Sequence, residues 1–154
     1  MTQAFSLTAD KTTPARGMYA YMPNRPQPHN AILAGTASVV AGDFVKLDTA
    51  SGNTVAPVVK PCAVTDVPYG MVVYNALKSE HAVGDKLALA QTGDSVFLVA
   101  NGAIAVGSKV QFTADGYVDD TTTSTNAYVG VAETVASAKG DFVQIKLDFG
   151  LGVA

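Results

Sequence analysis

The chain has one cysteine, no tryptophan and two histidines in 154 residues. A lone Cys62 cannot close an internal disulfide and has no CxxC neighbour for zinc or redox chemistry, so it reads as a small apolar core residue. Charge is scarce as well: charged residues make up 15% of the chain against 48% apolar. That balance excludes intrinsic disorder and leaves a surface suited to lying against another protein. Long hydrophobic runs are missing, since no window approaches the ~20 apolar residues of a membrane span. The N-terminal MTQAFSLTADKTTPARG lacks the apolar core of a signal peptide, so the expectation is a protein made in the cytoplasm, with no membrane partner.

Catalytic and metal-binding patterns are absent too. His29 lies in the proline-rich PQPHN and His81 follows Ser79-Glu80; neither stands in a motif with a nucleophile or a second ligand. Asp115, Asp119 and Asp120 cluster, but the alternating acids and closing glutamate of a calcium loop do not occur, and a solvated hairpin end is the expected reading. There is no Asp-Thr/Ser-Gly pair for an aspartic dyad and no clustered glycines with Lys-Ser/Thr for a phosphate loop. These absences point away from an enzyme and call for no cofactor and no metal. Nucleic acid is disfavoured by an acidic body without interleaved aromatic and basic residues.

What is present divides the chain in two. Residues 1–30 hold four of the seven prolines (Pro14, Pro23, Pro26, Pro28) and both arginines, Arg16 and Arg25. Prolines at that density exclude a helix and leave few donors for a sheet, so an extended arm is expected. The arm carries a net charge of +2, from Lys11, Arg16 and Arg25 against Asp10; residues 31–154 carry −5, from seven lysines and twelve acids. The two parts should attract each other or each other's copies. Phe5, Tyr19 and Tyr21 argue against a purely solvated leader.

From Ala31 onward the texture is short β-branched runs punctuated by glycine. One unit recurs: Gly42-Asp43 precedes Val45 and Leu47, Gly84-Asp85 precedes Leu87 and Leu89, and Gly93-Asp94 precedes Val96 and Leu98. Gly107-Ser108 precedes Val110 and Phe112, and Gly140-Asp141 precedes Val143 and Ile145. In each, glycine supplies a turn, the Asp or Ser side chain can accept a bond from the nearby backbone, and alternating apolar residues mark one face of a strand. Recurrence argues for architecture, because an active site is seldom written five times. The residues between the apolar positions, such as Lys46 and Gln111, suit an outer face.

Hairpin loops are expected at Thr49–Asn53, returning through Thr54-Val55-Ala56, and at Ala114-Asp115-Gly116, returning through Tyr117-Val118. Tyr69-Gly70-Met71-Val72-Val73 and Tyr128-Val129-Gly130-Val131-Ala132 add a glycine-led strand ahead of the last Gly-Asp unit in each half. The order therefore repeats, as a weak internal duplication of about half the body. The expected fold is all-β: one barrel or sandwich-like domain over residues 31–154, preceded by the arm over 1–30. Helix is limited to a turn at Thr134–Lys139 and another within Val73–Ala82.

The succession AGDFVKLD, GMVVYN, VGDKLALA, VGSKVQFTADG, YVGVAET and KGDFVQIKL, over residues 35–148, resembles the capsid decoration or structural cement proteins of tailed bacteriophages. The resemblance implies a non-enzymatic virion protein on the outside of the head, contacting the major capsid protein, as a homotrimer where capsomers meet. Two rival classes are a head-fibre base or glycan-binding adhesin, which would want more exposed aromatics, and a small β-rich hydrolase, which would need a convergent nucleophile and base. Arm residues Arg16, Tyr19, Tyr21 and Arg25 are the expected partner contacts, since arginine and tyrosine dominate interface hot spots. Gly42, Asp43, Gly84, Asp85, Gly107, Gly140 and Asp141 are the expected structural turns. Deleting residues 1–30 is expected to abolish head binding and leave the body folded.

Overall fold

The structure is a computed structural model that describes residues 14–20, 29–52, 55–120 and 123–151. In chain order the strands are β1 (His29–Leu33), β2 (Val39–Val40), β3 (Phe44–Leu47), β4 (Val58–Pro61), β5 (Gly70–Val72) and β6 (Glu80–His81). They continue with β7 (Lys86–Ala90), β8 (Ser95–Val99), β9 (Lys109–Phe112), β10 (Val118–Asp119), β11 (Ala127–Ala132) and β12 (Phe142–Leu151). Among the described residues there is no helix, and the fold is all-β.

Two groups of five strands repeat one topology. The first closes as a barrel in the order β1-β4-β3-β5-β7, and the second is a sheet in the order β10-β9-β11-β12-β8. Reading β4-β3-β5-β7 against β10-β9-β11-β12 gives the same run of antiparallel neighbours. The remaining strand also matches. β1 pairs antiparallel with β7 and parallel with β4, while β8 pairs antiparallel with β12 and its continuation reaches β10 through the parallel bridge Ala100↔Val118. Ala34 N–H donates to the Val59 carbonyl at 2.7 Å, and Asn101 N–H donates to the Val118 carbonyl at 2.7 Å. Even the two-residue pair β2–β6 has its counterpart in the bridge Ile104↔Ala136. The repeat seen in sequence thus extends to whole five-stranded units.

The recurring Gly-Asp turn has a structural reason. In all five copies the glycine adopts a left-handed conformation, with φ of 90° at Gly42, 93° at Gly84, 98° at Gly93, 87° at Gly107 and 96° at Gly140. Its N–H then donates to the carbonyl of a residue on another strand, and the N–H of that same residue donates back to the carbonyl of the following Asp or Ser. Gly42 and Asp43 bracket Val72 in this way, Gly84 and Asp85 bracket Leu33, and Gly93 and Asp94 bracket Leu147. Gly107 and Ser108 bracket Ala132, and Gly140 and Asp141 bracket Ala100. Every bracketed residue is buried. The side chains of Asp43, Asp85, Asp94 and Asp141 fold back to accept the N–H of Val40, Ala82, Gln91 and Ala138, which completes each turn. Each unit therefore begins a strand and ties it to a second one.

Strand alternation then builds two cores that share a wall. Ala31, Leu33, Val39, Val45, Val59, Val72, Leu87 and Leu89 fill the first barrel. Phe44, Met71 and Ala90 point to the opposite face of the same strands and join Val96, Leu98, Val110, Val129, Val143, Ile145 and Leu147 in the larger core. The ring of Phe44 lies 5.0 Å from that of Phe112 and 6.0 Å from that of Phe149. Positions equivalent to Phe44 and Ala90 on the second sheet are Lys109 and Lys146, both exposed. The copies diverge where one packs against the other.

Four local expectations are corrected. The return strand after β3 is β4, not Thr54–Ala56; Val55 is almost fully exposed, and the longer loop lets β4 meet β1. Thr134–Lys139 holds Ala136 extended against Ile104 instead of making a helical turn, and Val73–Ala82 likewise contains no helix. Gln111 is buried, because its amide donates to the Thr123 carbonyl at 3.0 Å and so satisfies a polar group inside the sheet.

Candidate functional site

The N-terminal residues that are described form a clasp across both units. Pairing of Tyr19 with Val96 adds a short antiparallel strand to the edge of β8 opposite β12. Phe97 N–H donates to the Met18 carbonyl at 2.8 Å, Gly17 N–H donates to the Phe97 carbonyl at 2.8 Å, and Ala20 N–H donates to the Ser95 carbonyl at 2.9 Å. On the other side Tyr74 N–H donates to the Gly17 carbonyl at 3.0 Å. One residue, Gly17, is therefore bonded to both units through its backbone.

Arg16 reinforces the same junction. Its Nη1 donates to the Ala41 carbonyl at 2.8 Å and its Nη2 to Asp43 Oδ1 at 3.0 Å, both on the first barrel. Its Nε donates to the Gly116 carbonyl at 3.1 Å, on the hairpin between β9 and β10. The fork geometry of a guanidinium allows three acceptors on two units to be held at once. Arg16 and Tyr19 are thus engaged within the chain, Tyr19 also packing on the larger core. Tyr21 and Arg25 lie outside the described residues.

Beside Arg16 a groove of about 530 Å³ runs between the units, lined by Phe44, Cys62, Val64, Phe112 and the 113–116 hairpin. Cys62 is half-buried there and packs against the larger core, and burial pushes its thiol up to about 12, which favours the protonated form. Near it Lys46 Nζ sits 2.6 Å from Asp66 Oδ2; that bond, with a second from Ala63 N–H, holds the Asp66 carboxyl below its ordinary range. Among the described residues no three His, Cys, Asp or Glu side chains come together as a metal site.

Asp85, one of the bracket residues, is held below the usual carboxylate range first by Lys78 at 2.5 Å and then by the Ala82 N–H. A depressed folded-state value stabilises the fold above the unfolded carboxylate range, and that contribution is lost as pH falls through the folded value. Asp85→Asn should accordingly lower the urea midpoint at neutral pH and flatten its decline as pH falls from about 5 through the lowered range of the folded carboxyl. An acid limb as steep as that of the parent chain would place the acid sensitivity elsewhere.

The class defined by this geometry is a doubly built β protein in which the Gly-Asp brackets tie strands within two five-stranded units, and Arg16 and Gly17 tie the units together. Residues 26–147 match the phage cement protein family, and the chain belongs to that family. It is a phage virion structural protein. Among solved structures, the fold is similar to the head fibre gp8.5 N base of bacteriophage phi29, with a TM-score of 0.53 at 18% identity, over 77% of this chain and 91% of that one. Curated proteins gave no match.

Proposed function

We propose that the protein binds the outer surface of the phage head, contacts the major capsid protein and stabilises the capsid by bridging neighbouring capsomers as a homotrimer. Membership of the cement family carries this reading. The shared core supports it, because a plug that bridges moving subunits must transmit load without parting along its own middle. Linked contacts also explain how modest single-chain affinity suffices, since effective concentration multiplies the gain when several copies engage together. Within the leader, Tyr21 and Arg25 are the residues we assign to the capsid contact, as Arg16 and Tyr19 are engaged inside the chain.

The direct test is quantitative mass spectrometry of purified virions together with add-back to heads that lack this chain. A fixed stoichiometric ratio to the major capsid protein, and raised resistance of the heads to heat after add-back, are the expected results. The fold likeness to a head fibre base favours one alternative, a fibre attachment protein. That reading requires a few copies per particle and no change in head stability.

A further inference from the structure

The internal repeat exposes an asymmetry at the edge of the first barrel. Phe97 on β8 pairs with Gln144 as Asn30 on β1 pairs with Ala88, and three residues on, Ala100 and Leu33 are each bracketed by a Gly-Asp turn. Asn30 and Phe97 are therefore equivalent. On Phe97 both outward backbone groups are taken by the leader: its N–H by the Met18 carbonyl and its carbonyl by Gly17 N–H. The outward N–H and carbonyl of Asn30 have no partner among the described residues, and Asn30 is exposed. Pairing of β1 with β4 stops short of it, where Pro57 accepts from Ile32 but has no N–H to return. An open strand edge of this kind is a template for another strand, and sheet proteins normally cover it.

We infer that the Asn30 edge of β1 receives an extended strand from a second copy of this chain, supplied by its N-terminal residues 1–13. The second sheet provides the precedent, since leader residues 17–20 of this chain cover the equivalent edge. The sequence of residues 4–8, AFSLT, alternates Phe5 and Leu7 with Ala4, Ser6 and Thr8, a period-two pattern suited to strand addition. The family match begins at residue 26, so this segment is outside the part shared with the family, as a self-specific connector would be. Donation from each copy to the next is a heterologous contact, which closes into a ring where the rotation between copies allows it and otherwise runs on as an open filament. The inference rests on the homotrimer proposed above and names how its copies join.

The test measures mass by sedimentation velocity for the full chain, for the chain lacking residues 1–13, and for Asn30→Pro. Proline removes only the outward N–H at this position and is tolerated on edge strands, so β1–β7 pairing should survive. The expected result is a trimer for the full chain and monomers for both variants. A labelled peptide of residues 1–13 should bind the truncated chain, and Asn30→Pro should weaken that binding by about tenfold or more, read by anisotropy. A monomeric full chain would overturn both the trimer and the inference. Trimers of both variants would overturn the inference alone. Peptide binding indifferent to Asn30→Pro would also overturn it, as would an Asn30→Pro chain that stays trimeric yet no longer binds heads, which would assign the edge to the capsid. Should the proline variant fail to fold, the truncated chain and its peptide still decide: no binding of the peptide overturns the inference.

Discussion

Gly130→Ala is expected to cost about 3–5 kcal/mol of stability, which would leave a marginal domain largely unfolded. A methyl group at this position would lie 2.2 Å from the Lys146 carbonyl oxygen and 2.7 Å from Ile145 Cγ2. The first of those is backbone in the longest strand of the sheet, which cannot yield without breaking its bonds to β8 and β11. The register of β11 shifts beside Gly130 against both β9 and β12, so the close approach is part of a bulge that twists the strand. The repeat supplies an internal control. Gly70 occupies the same place in the first barrel, but its added Cβ would meet Leu89 Cβ at 3.0 Å and the Ala90 carbonyl at 3.1 Å. Gly70→Ala should therefore cost about 1–2 kcal/mol, by small shifts of neighbours. Urea unfolding of the two variants reads the comparison, and equal costs would mean that the tighter approach at Gly130 is relieved more easily than its backbone contact implies.

The turn units were legible in the sequence because their chemistry is local. Glycine in a left-handed turn, an aspartate folding back on the backbone and alternating apolar residues all fall within seven positions, and Gly42, Asp43, Gly84, Asp85, Gly107, Gly140 and Asp141 all act in the brackets. The partner of each bracket was not legible, since Val72, Leu33, Leu147, Ala132 and Ala100 look like any buried strand residue. The completeness of the duplication escaped for a similar reason. Its outer pairings, such as Ile104 with Ala136, are single bridges between residues without a pattern. Phe44 did carry a signal: the equivalent residue in the second copy is Lys109, and a bulky apolar residue where the copy has a charge marks the face between the units. Arg16 was singled out by its scarcity, but composition gives a charge no address, and its acceptors are two carbonyls and one aspartate far along the chain.

That address makes the second large prediction. Arg16→Ala should cost about 2–3 kcal/mol, because it leaves Asp43 without its counter-charge and two carbonyls without a donor at a half-buried junction. Arg16→Lys should recover less than half of that, as one ammonium on a flexible stem cannot hold three acceptors spread over two units. Gly17→Ala attacks the same clasp through the backbone. Gly17 has φ of 81°, and an added Cβ would lie 2.6 Å from the Gly42 nitrogen and 3.0 Å from the Val72 carbonyl oxygen. Both changes should release the leader from β8, and amide hydrogen exchange reads this apart from global unfolding. Phe97 N–H is covered by the Met18 carbonyl on the leader side of β8, whereas Ala100 N–H donates to Asp141 inside the bracket. Exchange at Phe97 should then accelerate by an order of magnitude or more beyond the change at Ala100. Parallel acceleration at both sites would mean that the clasp opens only when the whole fold does. The consequence for the virion follows from position: a truncation at residue 30 removes this clasp and two residues of β1 together, so lost head binding after that deletion reports a damaged plug. Removal of residues 1–13 leaves the clasp in place and keeps Tyr21 and Arg25, so head binding by that chain separates the proposed capsid contact from the proposed joint between copies.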